Sequence, residues 1–138
     1  MVKKEIDPVK RLDKIFSLYI RLRDIMPNGM GRCISCGKIK PYREFDCGHF
    51  FGRANMATRY DEDNCSAECQ VCNRQDANHL ERYRANLIKR IGEARFAALN
   101  ERAHSVKKWD DSDLNELIQL YTHKVKRLSR EKGVNVSI

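Results

Sequence analysis

The chain has few of the residues that break or stiffen a backbone, with 3 prolines and 7 glycines among 138 residues. That scarcity excludes collagen-like, proline-rich and glycine-rich linker architectures, and there is no internal repeat or low-complexity tract. No apolar run approaches the roughly 18 residues of a bilayer-spanning helix, so no membrane partner is expected. No hydrophobic signal segment is expected among these residues. Six cysteines in such a chain point to reduced thiols in a cytoplasmic setting rather than to a disulfide scaffold. Acidic residues are also short, 19 against 27 Lys and Arg, which leaves a formal charge of +8 and a pI near 9.3. Charge alone suits a nucleic acid, an acidic protein or an anionic membrane surface equally well.

What the chain does have is cysteine at a telling spacing. Cys33-x-x-Cys36 and Cys69-x-x-Cys72 are separated by 32 residues. Each pair offers two thiolates to a tetrahedral ion, and two pairs at this distance close a loop that one metal can staple. Structural zinc is the expected occupant, with a disulfide or redox pair as the alternative. Such a centre is coordinatively closed, so any chemistry has to come from residues that it holds in place. Four thiolates against two charges on the ion lower the net charge from +8 to about +6, which is still basic. Cys47 and Cys65 fall outside the pairs and are expected as buried thiols.

Periodicity supplies the rest of the chain. Residues 1–6 form a short charged tail, and Asp7-Pro8 caps a first helix with Leu12, Ile15, Leu18, Tyr19, Leu22 and Ile25 on one face, stopped by Pro27-Asn28-Gly29. Gly31 and Gly37 allow the tight backbone of the first knuckle. Tyr42, Phe45, Phe50 and Phe51 surround a short hairpin at Asp46 to His49, packing on the zinc loop, and a second short strand holds Cys65 and Ala67. A helix is expected from Asn73 to Gly92 with Leu80, Tyr83, Leu87, Ile88 and Ile91 buried. A shorter one follows over 93–104. A last helix is capped by Asp113 and Glu116, carries the stripe Leu114, Leu117, Ile118, Tyr121, Val125 and Leu128, and ends in the basic run Lys124 to Lys132. The expected organisation is an N-terminal helix over 1–29, a zinc-stapled core over 30–92, and a basic C-terminal arm over 93–138.

The order Asp46-Cys47-Gly48-His49, Asn64 and Asn73 resembles the HNH nucleases of the ββα-metal fold. Asn64 to Asn73 is similar to that family's Asn-x4-Cys-x2-Cys-His/Asn ending. Two CxxC pairs, a His between them and an Asn after the last Cys are similar to the phage junction resolvases of the endonuclease VII type. The run DCGHFF through EDNCSAECQVCNR, with Tyr83-Arg84 and Leu87 to Gly92 downstream, most resembles the NinG (Rap) recombination proteins of lambdoid phages, over about residues 7–92. The resemblance implies a fold class of α+β, mostly helical, with a zinc-stapled ββα-metal core between helical arms.

That resemblance implies phosphodiester hydrolysis, which needs a base, a cation and a stabilised leaving oxygen. His49 is the expected general base. Asn64 is expected to fix the loop and the His, and Asn73 to bind catalytic Mg²⁺ or Mn²⁺ through its amide oxygen. Many family members carry a second ligand immediately before the base, where this chain has Gly48. Residues 46 and 48 share a strand face, so Asp46 is expected to serve instead. His79 lies too far around its helix to be a ligand. Arg53, Arg59 and Arg74 are candidate phosphate clamps, and Lys124, Lys126, Arg127 and Arg130 candidate DNA-backbone contacts.

Three functions remain open at this level. One is an endonuclease acting on Holliday junctions and D-loops, the others a non-catalytic zinc module that binds nucleic acid and an HNH enzyme that nicks linear duplex. Junction resolution needs two symmetric nicks, so the first implies a homodimer, with the stripes of the terminal helices as its interface and recombination proteins as possible further partners. The setting implied is a bacterial host cell, with the gene carried by phage or prophage.

Overall fold

The computed structural model describes residues 6–138, so the charged tail expected over residues 1–6 falls outside the described residues except for exposed Ile6. Asp7 caps helix α1 (Pro8–Arg23) by accepting from the Val9 N–H at 2.9 Å, with proline in the first turn. The helix ends before Ile25, short of the expected stop at Pro27. Its last carbonyls are taken by a distant ammonium, since Lys132 Nζ donates to the carbonyls of Leu22, Arg23 and Ile25 at 2.6, 3.0 and 2.6 Å. Lys132 thus closes the end of α1 and does not belong to the expected basic surface.

Two antiparallel hairpins follow. Strands β1 (Met30–Arg32) and β2 (Ile39–Pro41) flank the first cysteine knuckle. Strand β3 (Phe45–His49) pairs with β4 (Cys65–Cys69) in a register that sets His49 opposite Cys65, Gly48 opposite Ser66 and Asp46 opposite Glu68. Every residue of β4 is buried, because α1 covers one face and the later helices cover the other.

The helix expected from Asn73 to Gly92 is two helices, α2 (Gln70–Gln75) and α3 (His79–Ile91). Asp76 makes the break: its carboxylate accepts from the Asn78 N–H at 2.9 Å and pairs with Arg82, which favours a turn over continued helix. Leu80, one of the expected core positions, is 41% exposed. Tyr83, Leu87 and Ile91 do turn inward, joined by Leu99 of α4 (Glu93–Ala103) and by Phe50, Phe51 and Phe96. The two phenylalanines thus pack on the α3–α4 side, while Phe45 packs with the cysteines.

Helix α5 (Asp111–Lys132) starts one turn before the expected cap. Asp110 accepts from the Asp113 N–H at 2.8 Å and Asp113 returns the bond to the Asp110 N–H at 3.2 Å. Its stripe packs on that of α1: Leu12, Ile15 and Tyr19 meet Leu114, Ile118, Tyr121 and Val125, and the Phe16 and Tyr121 rings stand edge to face at 4.9 Å. The terminal helices therefore are not projecting arms, and their stripes are not a free dimer interface. Each covers the other, at about 1.5–3 kcal/mol per fully buried side chain.

Glu62, from the segment between β3 and β4, fastens this pair. It accepts from Tyr19 Oη at 2.7 Å and Tyr121 Oη at 3.0 Å and lies 3.5 Å from Lys124 Nζ. Burial pushes its carboxyl up, but those two hydroxyls and the ammonium outweigh burial and hold it below the usual glutamate range. The whole is a mixed α+β fold, about half helical, with two small sheets.

Candidate functional site

Cys33 follows β1, Cys36 closes the knuckle, Cys69 ends β4 and Cys72 lies in the first turn of α2. Their four sulfurs all lie within 4.8 Å of one another, with Cys36 Sγ and Cys69 Sγ 3.8 Å apart, close to the spacing that four bonds of about 2.3 Å impose on a tetrahedral zinc. The backbone N–H groups of Ser35, Cys36 and Cys69 point at Cys33 Sγ from 3.4, 3.5 and 3.2 Å, as expected around a thiolate. Gly37 turns the knuckle at φ 75°, a conformation costly for other residues. The donor set therefore fits the structural zinc expected from the spacing.

Beside this centre, a cleft of about 350 Å³ opens between α1, β3 and the start of α2, lined by His49, Asp46, Asn73, Cys47, Arg53 and Asp13 among others. The His49 side chain faces α1, and its Nε2 is 3.0 Å from the Arg59 carbonyl oxygen. A carbonyl only accepts, so Nε2 carries the proton in the neutral ring and Nδ1 keeps the lone pair. Burial, the largest influence, holds the imidazole below its usual pKa, and the Arg59 carbonyl only partly opposes that. A neutral, oriented imidazole is what a general base requires.

Asp46 and Asn73 meet from β3 and α2, with Asn73 Nδ2 donating to Asp46 Oδ2 at 3.0 Å, which leaves the amide oxygen of Asn73 for another partner. Arg74 grips the same carboxylate from 2.9 and 2.8 Å. Burial pushes Asp46 up, yet the bonds from Arg74 and Asn73 prevail and keep it below the usual aspartate range. Asn64 is not in the cleft. Fully buried, it accepts from the Phe51 N–H at 2.8 Å and donates to the carbonyls of Phe51 and Thr58 at 3.0 Å each. It braces the loop that carries Arg59, and so reaches His49 only indirectly.

The candidate clamps are engaged with acids. Arg53 and Arg59 both pair with Asp13, at 2.6 and 2.5 Å, and Arg74 pairs with Asp46 at 2.8 Å. Lys124 packs over the Tyr19 and Tyr121 rings beside Glu62, which makes it part of the helix pairing rather than an open contact. Arg127 pairs loosely with Glu131 on its own helix, and Lys126 and Arg130 are exposed.

Two acids escaped the sequence reading. Asp13 accepts from Arg53, Arg59 and Tyr60 at the rim of the cleft. It sits beside Leu12 in an amphipathic helix, and nothing in that pattern says which loop will face it. Glu68 is wholly buried on β4, bonded to Ser35 Oγ and 2.5 Å from His79 Nδ1, while its Oε1 has no partner among the described residues. A charged residue immediately before Cys69, in a stretch with no other charge, was the available signal.

Glu68 also explains Gly48. A Cβ at position 48 would lie 2.6 Å from Glu68 Oε1 and 2.8 Å from Glu68 Cβ. No side chain fits there, so Asp46 has to approach Asn73 from two residues away. Gly48→Ala is expected to lower stability by about 2 kcal/mol in urea unfolding. The loss should be smaller when the substitution is made in a Glu68→Gly background, because both clashing atoms, Oε1 and Cβ, are gone. Equal losses in the two backgrounds would show that Glu68 does not set this position.

Comparison with known proteins decides the family. The model of the family described as Bacteriophage Lambda NinG protein matches residues 1–131. The chain belongs to the NinG family. It is 30% identical over 127 residues to protein ninG of Escherichia phage 933W, covering 91% of this chain and 60% of that protein. With protein ninG of Salmonella phage P22 it shares 32% over 122 residues, or 87% and 57% of the two chains. With the protein of Escherichia phage lambda it shares 29% over 127 residues, or 91% and 59%. The chain thus spans about 60% of the length of these NinG relatives. No solved structure matches it. Among the described residues no helix is long and apolar enough to cross a membrane.

Proposed function

We propose that this NinG-family chain is a metal-dependent endonuclease that hydrolyses phosphodiester bonds in branched DNA such as Holliday junctions and D-loops. The observation that carries the reading is the meeting of His49, Asp46 and Asn73 at one cleft beside a four-cysteine centre. Two antiparallel strands followed by a helix supply all three residues, which is the arrangement that the resemblance to ββα-metal nucleases calls for.

The residues divide the work as follows. His49 Nδ1 takes the proton of a water whose oxygen attacks the phosphorus, and the bond to the 3′ oxygen breaks. The Arg59 carbonyl holds the ring in that tautomer. Held by the Asp46 carboxylate and the Asn73 amide oxygen, Mg²⁺ or Mn²⁺ would offset charge on the phosphate and on the leaving oxygen. Arg74 has to leave Asp46 for this. Its side chain is 59% exposed, so the swing costs little and delivers a guanidinium to the phosphate. Arg53, 60% exposed on Asp13, is free to do the same.

A second reading rests on those same pairs. With Arg74 kept on Asp46, and Arg53 and Arg59 on Asp13, the cleft holds no ion and the chain is a zinc module that binds nucleic acid without cutting it. A third, nicking of linear duplex, shares the whole site. Two symmetric nicks at a junction still require two copies of the site, and a homodimer would have to use a surface other than the α1 and α5 stripes. Host or phage recombination proteins are the natural further partners.

The test is cutting of matched four-way-junction and linear DNA of one sequence, over a range of salt. The junction is expected to be cut at least tenfold faster, with affinity falling steeply as salt rises. Equal cutting would leave the nickase, and binding without cutting would leave the zinc module.

A further inference from the structure

Cys47 and Cys65 lie outside the four-cysteine centre, and nothing in the proposed reaction uses them. The β3–β4 register places His49 opposite Cys65, with Cys47 two residues before His49 on the same strand, so all three side chains leave one face of the sheet, toward α1. The candidate ligand atoms of Cys47, His49 and Cys65 all lie within 4.8 Å of one another, as do the sulfurs of the first centre. Cys65 is fully buried, while Cys47 and His49 are half-buried and line the cleft.

We propose that Cys47, His49 and Cys65 form a second metal site for a thiophilic divalent ion of the zinc class, with the fourth position open to the cleft. Two thiolates and an imidazole are a recurrent set for such an ion, and three protein ligands with an open position distinguish this site from the closed first one. The magnesium-type position at Asp46 and Asn73 is separate from it and offers only oxygen donors.

The site is weaker than the four-cysteine centre because it offers fewer ligands. It has three protein ligands where the first has four.

A consequence follows for His49, and this part alone rests on the functional reading above. The Arg59 carbonyl leaves only Nδ1 with a lone pair. An ion bound there removes the base, so excess zinc stops cutting while Mg²⁺ or Mn²⁺ supports it.

The test is a Co²⁺ titration of the zinc-loaded chain under a phosphine reductant, which keeps Cys47 and Cys65 from pairing. Thiolate-to-cobalt charge-transfer absorption is read together with zinc and cobalt content per chain. The expected result is a second ion per chain, zinc retained in the first centre, with binding at least tenfold weaker in Cys47→Ala and in His49→Gln. Half-buried Cys47 is chosen because replacing fully buried Cys65 risks the fold. Saturation without charge-transfer absorption, or a second ion bound equally by both variants, would overturn the site. If the ion binds as expected but excess Zn²⁺ leaves cutting unchanged, the site stands and His49 is not the base.

Discussion

Replacing Cys69 by alanine is expected to cost the protein both its metal and its fold. Cys69 joins β4 to α2, is 1% exposed, and its sulfur lies 3.8 Å from that of Cys36. The cluster around it consists of Cys33, Phe45, Ala67 and Cys72, too little apolar surface to hold two knuckles together unaided. Without a cation the sulfurs are unequal: burial and neighbouring thiols push Cys72 up to about 12 and burial raises Cys33, while at Cys36 burial is outweighed by bonds from the Lys38 N–H and the other three cysteines, which lower it. An ion binds all four as thiolates, and structural zinc sites contribute on the order of 10 kcal/mol, comparable with the whole stability of a domain this size. Elemental analysis should therefore find about one tightly held zinc per chain, and strong chelation should abolish the cooperative melt. A metal-free protein that melts near the native temperature would rule this out.

The second large effect concerns chemistry. His49→Ala and Asn73→Ala should each reduce cutting by about 10²–10⁴-fold, the range that a general base or a charge-stabilising group contributes. DNA affinity should stay within a few-fold, because neither residue supplies the long-range attraction of a +8 chain. Both side chains are only half-buried, so the variants should melt close to the parent, which separates lost chemistry from lost structure. Activity kept in both variants would remove these residues from the mechanism. Loss of affinity in proportion to loss of cutting would make them binding residues instead.

The four-cysteine centre was legible because cysteines at that spacing answer to the bond geometry of a tetrahedral ion, which does not depend on the rest of the fold. The stripes of α1 and α5 were equally plain, yet their partner was not. Periodicity says that a face is covered and is silent on what covers it, so a second copy was expected where the chain uses its own other end. Asp46 was reached by strand alternation, and it does meet Asn73. The reason Gly48 has no side chain lay in Glu68, 20 residues further on and visible only once β3 and β4 are paired. Asp13, which holds Arg53 and Arg59 together at the rim of the cleft, needed the packing of α1 on β3 to be seen. Arg74, a candidate phosphate clamp by sequence, pairs with Asp46, a carboxylate that only the packing of α2 on β3 brings within its reach.

The most direct measurement of the central claim is cleavage of a four-way DNA junction by purified, zinc-containing protein, with Mg²⁺ or Mn²⁺ supplied in one arm and withheld in the other. Nicked strands with 3′-hydroxyl and 5′-phosphate ends are expected only when the ion is supplied, and none from His49→Ala under the same conditions. Protein that keeps its zinc and binds the junction, yet leaves every strand intact with either ion, would contradict it.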